Sequence, residues 1–169
     1  YLSEHTELIA FTCDIQEAAR AAMGLCYVSD LGDSLTRLSQ KVHAKTDTVV
    51  HRHTIELSQP SENGYIKPER LFDMLNILAP DGTIYTNEST STTNALWDRL
   101  SLTEQGSYYF AAAGGLGFAM PAAVGVQLAH KTRRVVALIG DGSANYSITA
   151  LWTAAQYKIP VIFIILKNG

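Results

Sequence analysis

The stretch "ALIGDGSANYSI", residues 137–148, decides the fold. An apolar run leads straight into Gly140-Asp141-Gly142, and small polar residues then open a helical pattern. A short run apolar on both faces reads as a strand buried inside a parallel sheet. An aspartate held between two glycines at its end is either a turn residue or a ligand. The rest of the chain has to separate these readings.

The same alternation extends outward in both directions. Downstream, "NYSITALWTAAQY" (145–157) predicts a helix with Ile148, Leu151, Trp152 and Ala155 on its inner face, and "PVIFIIL" (160–166) a last strand. Upstream, "SYYFAAA" (107–113) reads as a strand, followed by a Gly-rich turn and helix in "GGLGFAMPAAVGVQLAHK" (114–131). Before it, "GTIYTNES" (82–89) predicts a strand and "TSTTNALWDRL" (90–100) a helix opened by hydroxyl N-cap candidates. Pro68 suits a helix start, with Leu71, Met74, Leu75 and Leu78 as its apolar face. Residues 45–65 have no clear period and read as a linker. His51 and His53 lie there without a third ligand nearby, so a solvated segment outweighs a metal site. Residues 7–44 form one β-α-β-α block, its last helix carrying Leu31, Leu35, Leu38 and Val42 on one face. The expected class is α/β, a parallel sheet flanked by helices, preceded by a piece of a second α/β domain. The expected division is 1–54, a linker over 55–66, and 67–169. The chain reads as part of a longer protein, because a lone β-α-β-α block is small for a domain.

Right-handed crossovers place all strand C-termini on one edge of such a sheet, where ligands bind. Four strands end there in unusual chemistry: Glu88-Ser89-Thr90-Ser91, Gly114-Gly115-Leu116-Gly117, Gly140-Asp141-Gly142-Ser143 and Lys167-Asn168-Gly169. A diphosphate with a hard divalent cation asks for this kind of set. Glycines let backbone N–H groups approach, a helix start favours the anion, and the cation takes carboxylate and amide oxygens. Gly140 and Gly142 free the backbone, Asp141 offers a carboxylate, Ser143 a hydroxyl and Asn168 an amide oxygen. One helix and one strand separate Asp141 from Asn168, so a βαβ unit brings them to the same edge. Gly-Asp-Gly alone would serve as a turn, and so would Asn-Gly; their conjunction carries the signal.

Rival readings fare worse. "GGLGFAM" lacks the third glycine of G-x-G-x-x-G, Met120 standing there, and no G-K-[ST] exists. Net charge of -3, with 17% charged residues and no basic run, argues against a nucleic-acid partner. No apolar stretch is long enough for a membrane span, the longest being the strand-sized "IPVIFIIL". The first residues lack the basic start of a secretory signal. Cys13 and Cys26 form no CxxC and fit a reducing, cytoplasmic setting.

"GDGSANYSITALWTAAQYKIPVIFIILKNG" resembles the metal and diphosphate motif of the thiamine-diphosphate enzymes. "NESTSTTNALWDRL" and "GSYYFAAAGGLGFAMPAAVGVQLA" narrow the resemblance to the 2-oxo acid decarboxylases, and within them to the benzoylformate decarboxylases. It is most specific from residue 84 onward. It implies non-oxidative decarboxylation of an aryl 2-oxo acid, benzoylformate to benzaldehyde and carbon dioxide, as in mandelate breakdown. Thiamine diphosphate and Mg2+ (or Ca2+) would be the cofactors. Asp141 and Asn168 would be metal ligands; Gly140, Gly142 and Ser143 would line the diphosphate, with Tyr146 nearby. Thr90 and Ser91 would contact the cofactor from the neighbouring strand end. The Gly114 backbone carbonyl would accept from the aminopyrimidine, Leu116 would be the wedge that bends the cofactor, and Phe110 would approach the substrate. The resemblance further implies a homo-oligomer, dimer or tetramer, with the site at a subunit interface. Plainer roles stay open at several positions. Leu116 and Phe110 also suit a core, Thr90 and Ser91 a helix cap, and Trp97 and Trp152 helix-face packing. Lys167 departs from the usual Asn-Asn pair. An acetohydroxyacid synthase or another carboligase on the same scaffold, or a catalytically silent homologue, fits the same motifs. The segment alone is expected to bind cofactor weakly and to catalyse nothing.

Overall fold

The computed structural model describes residues 6–21, 24–43, 57, 59, 64–102 and 104–167. The chain divides into two compact units, Tyr1–His51 and Arg52–Gly169. His51, His53 and most of the expected linker lie outside the described residues.

In the first unit, β1 (Ile9–Thr12) and β2 (Leu25–Val28) pair in parallel, Ile9 opposite Leu25. Aspartates start both helices. Asp14 accepts from the Gln16 N–H ahead of α1 (Ile15–Ala19), and Asp30 from the Asp33 N–H ahead of α2 (Leu31–Lys41). The apolar stripe of α2 exists as expected but is not covered: Leu31, Leu35, Leu38 and Val42 are all exposed. Two strands offer too little surface to cover it.

The second unit carries the alternating pattern in full. β3 (Ile84–Glu88), β4 (Tyr108–Phe110), β5 (Val135–Gly140) and β6 (Ile162–Leu166) are all parallel, in the order β4-β3-β5-β6. The helices are α3 (Pro68–Leu78), α4 (Thr93–Arg99), α5 (Ala119–Ala129), α6 (Asp141–Ala144) and α7 (Ala150–Gln156). Ile84, Val135, Ala137 and Ile139 pack with Met120 and Ala123 of α5 and with Ala150 and Ala154 of α7. On the other face Tyr85, Val136 and Leu138 pack with Phe72 of α3 and Leu96 of α4. Each strand side thus has its own core, which is why β5 is apolar throughout.

Four expectations are corrected. The helix expected over 145–157 is shortened to α7, which starts only at Ala150, and a separate short helix, α6, precedes the expected start. Between them Asn145, Tyr146, Ser147 and Ala150 each donate to the carbonyl three residues back, which turns the chain more tightly than an α-helix. The inner face shifts with it. Ala150 and Ala154 are buried, whereas Ile148, Leu151, Trp152 and Ala155 are exposed. The expected helix over 90–100 opens with a 3-10 turn, Thr90–Thr92, and no side chain caps its start. The apolar face of α3 centres on Phe72, leaving Leu78 exposed, while buried Asp73 reaches Arg99 at 3.6 Å. Neither tryptophan is core: Trp97 is exposed against the Tyr108 ring, centroids 4.7 Å apart, and Trp152 is exposed on α7.

Candidate functional site

Because the sheet is parallel, the segments after β3, β4 and β5 leave from one edge. Glu88 pairs with Ile139, so the ends of β3 and β5 are level. A side chain on Gly140 would stand 3.7 Å from the Glu88 carbonyl oxygen. Gly140 pairs with Leu166 on β6, so Asp141 and Lys167 are the next residues on either strand. Asn168 lies outside the described residues.

The turn after β3 is knitted by a buried amide. The Asn87 side-chain oxygen accepts from the Ser89 N–H (3.0 Å) and hydroxyl (2.6 Å), and its NH2 donates to the Tyr108 hydroxyl (3.0 Å). The Ser89 carbonyl in turn accepts from the hydroxyls of Thr92 and Thr93. Thr90 and Ser91 sit on this fixed turn, both exposed. Burial pushes the Tyr108 phenol up, with the Asn87 hydrogen bond acting against it.

The segment after β4 is short and tightly held. Gly114 N–H donates to the Ala111 carbonyl at 2.9 Å, closing a turn directly after the strand, which ends at Phe110 and not at 113. Gly114 has φ +67 and Gly117 φ +94, conformations that L side chains rarely adopt. Glu88 is buried, and its two carboxylate oxygens accept from Gly117 N–H (2.5 Å) and Ala119 N–H (2.6 Å). Thr86 hydroxyl donates to the Ala119 carbonyl at 3.0 Å. Leu116 and Phe110 stay exposed at 45% and 42%, which excludes the core reading for both.

After β5, Asp141 itself opens α6, so the helix begins four residues earlier than the sequence pattern indicates. No side chain caps it, and the first amides of a helix have no intrahelical acceptor. Gly140 has an ordinary backbone (φ -65, ψ 148). Ser143 is buried. Among the described residues, nothing lies within 4 Å of a side chain built on Gly142, Gly114 or Gly115. Tyr146 is exposed but stands against Gly117, joining this segment to the one after β4.

The structure therefore brings Thr90, Ser91, Phe110, Gly114, Leu116, Gly140, Asp141, Gly142, Ser143 and Tyr146 to segments leaving one sheet edge. Sequence reasoning missed Thr86 and Asn87, and placed Glu88 at the strand end without giving it a role. Their signal was three consecutive polar residues in a strand that the topology buries on both sides. No group of three His, Cys, Asp or Glu stands ready for a metal among the described residues. The expected metal set, one carboxylate with amide and carbonyl oxygens, is of another kind. A carboxylate at the strand end, with no described residue crowding Gly142, is donor chemistry that fits a hard cation carrying a diphosphate.

Residues 89–169 match the model of the thiamine pyrophosphate enzyme C-terminal TPP binding domain. Over all 169 residues the chain is 50% identical to a benzoylformate decarboxylase of Pseudomonas aeruginosa, covering 32% of that protein. A thiamine diphosphate-dependent 4-hydroxybenzoylformate decarboxylase from Rhodococcus jostii RHA1 superposes on the whole chain with TM-score 0.83 and 50% identity, over 32% of its own length. The benzoylformate decarboxylase of Polynucleobacter necessarius does so over 99% of the chain with TM-score 0.80 and 25% identity, again over 32% of its length. The chain spans about a third of the length of these relatives. Residues 89–169 thus belong to the C-terminal, cofactor-binding domain of the thiamine-diphosphate enzymes, and the α/β fold of the second unit is the one those enzymes carry.

Proposed function

We propose that the chain is the cofactor-anchoring part of a thiamine-diphosphate-dependent decarboxylase of aryl 2-oxo acids such as benzoylformate. The observation that carries this reading is the 50% identity to a benzoylformate decarboxylase over every residue of the chain. Bound thiamine diphosphate supplies the electron sink that lets a 2-oxo acid lose carbon dioxide. The chain's own residues bind and orient. Asp141, with Asn168, holds Mg2+ (or Ca2+) through oxygen atoms, as a hard cation requires. Gly140, Gly142 and Ser143 line the diphosphate, and the uncrowded Gly142 allows close approach. Tyr146 borders that end, and Thr90 and Ser91 offer hydroxyls from the fixed turn after β3. The Gly114 carbonyl accepts from the aminopyrimidine amine. Leu116 presents an exposed apolar side chain against the cofactor, and Phe110 an exposed ring towards an aryl substrate.

The working enzyme is a homo-oligomer, dimer or tetramer, with the site at a subunit interface; exposed apolar faces on α2 and α7 support further packing. Among the described residues no helix is long and apolar enough to cross a membrane. Free Cys13 and Cys26 agree with a cytoplasmic setting. A carboligase reading is favoured by the 54% identity over 56 residues to an acetolactate synthase large subunit of Haemophilus influenzae.

The test is an assay of the complete protein with thiamine diphosphate and Mg2+ on benzoylformate, 4-hydroxybenzoylformate and pyruvate. Aldehyde and carbon dioxide released faster from the aryl acids is the expected result. Acetolactate from pyruvate as the main product would replace this reading with the carboligase one.

A further inference from the structure

Glu88 is a carboxylate at 3% exposure with no salt-bridge partner among the described residues. An ionisable group taken out of water is costly unless its oxygens are satisfied, and an apolar residue of similar size would often stabilise a core as well. Both oxygens here are spent on backbone amides of one segment, Gly117 and Ala119. Two residues earlier on the same side of β3, Thr86 holds the Ala119 carbonyl. The other end of the segment is fixed by the Gly114 to Ala111 hydrogen bond. Only Gly115 and Leu116 lie between the two anchors.

We propose that Glu88 is a positioning residue, which sets where the Gly114 carbonyl and the Leu116 side chain meet the ring end of thiamine diphosphate. β3 has a paired strand on either side, so the segment is tied to the interior of the sheet. The inference rests on the function proposed above. It separates the two ends of the cofactor: Glu88 serves the rings through the segment after β4, whereas the diphosphate is held by the segment after β5.

Glu88→Gln in the complete protein tests it, with two probes in calorimetry: thiamine diphosphate and inorganic pyrophosphate, each with Mg2+. The amide NH2 would face one backbone N–H, leaving a buried donor without an acceptor. Thiamine diphosphate affinity should fall about tenfold or more, while pyrophosphate affinity stays within about twofold. Equal loss of both probes would mark a general structural role and overturn the inference, and so would loss of neither. If Glu88→Gln does not fold, Glu88→Asp, which keeps the charge and withdraws the oxygens by one methylene, is judged by the same three outcomes. Wild-type protein that binds neither probe would instead overturn the proposed function, and the inference with it.

Discussion

Gly117 and Tyr146 meet so closely that a side chain on the glycine would be tight. A Cβ on Gly117 would stand 3.2 Å from the Tyr146 Cβ, and the glycine holds φ +94. Two segments from different strands are thereby in direct contact: the one after β4, with Gly114 and Leu116, and the one after β5, with Asp141 and Ser143.

Gly117→Ala should therefore be costly. The backbone strain alone is on the order of 1–3 kcal/mol, and Tyr146 must also give way by a few tenths of an ångström. Chemical denaturation of the variant should show that loss. Calorimetry should show weakened thiamine diphosphate binding, because relief of the clash moves one segment away from the other. A variant of wild-type stability and affinity would mean that the contact does not hold the site together.

Asp141→Ala should remove the metal-dependent part of cofactor binding. Thiamine diphosphate affinity in Mg2+ should drop about 100-fold or more, on the order of 3 kcal/mol. A chelator that weakens the wild type should then have little further effect. Affinity retained in Mg2+ would place the metal elsewhere.

Alkaline pH should destabilise the second unit through Tyr85. Burial pushes this phenol from 10.0 up to about 12. The folded state thus keeps its proton where the unfolded chain has released it. The contribution is fully present below the unfolded value and is lost as pH rises through the folded one. Unfolding free energies from urea titrations should fall between pH 10 and about 12, by up to about 1.4 kcal/mol per pH unit. Tyr85→Phe should flatten that part of the profile. An unchanged slope in Tyr85→Phe would assign the effect to other groups.

Much of the second unit was legible because two-sided burial leaves a plain signature. β5 and β6 could be read from their apolar runs, and α3 begins at Pro68 as the sequence indicates. The alternation also implied that the motif-bearing segments share one edge, as the parallel order β4-β3-β5-β6 has it. What failed was finer. Trp152 and Leu151 looked like the inner face of a helix, but the tight turns over 145–149 rotate α7 so that Ala150 and Ala154 meet the sheet. Periodicity is counted from a starting residue, and the sequence placed that start on the wrong side of a turn. The role of Glu88 escaped for another reason. Its partners are backbone amides 29 and 31 residues away, and such a contact has no local spacing to betray it.

The bonds from Glu88 end on main-chain N–H groups, and Thr86 bonds a main-chain carbonyl. They are indifferent to the side chain at position 116. Replacing Leu116 by another apolar residue changes the shape offered to a bound molecule without touching a single anchor. The segment is in effect a mount with an interchangeable tip: the side chain at position 116 can change while the framework beneath stays as it is.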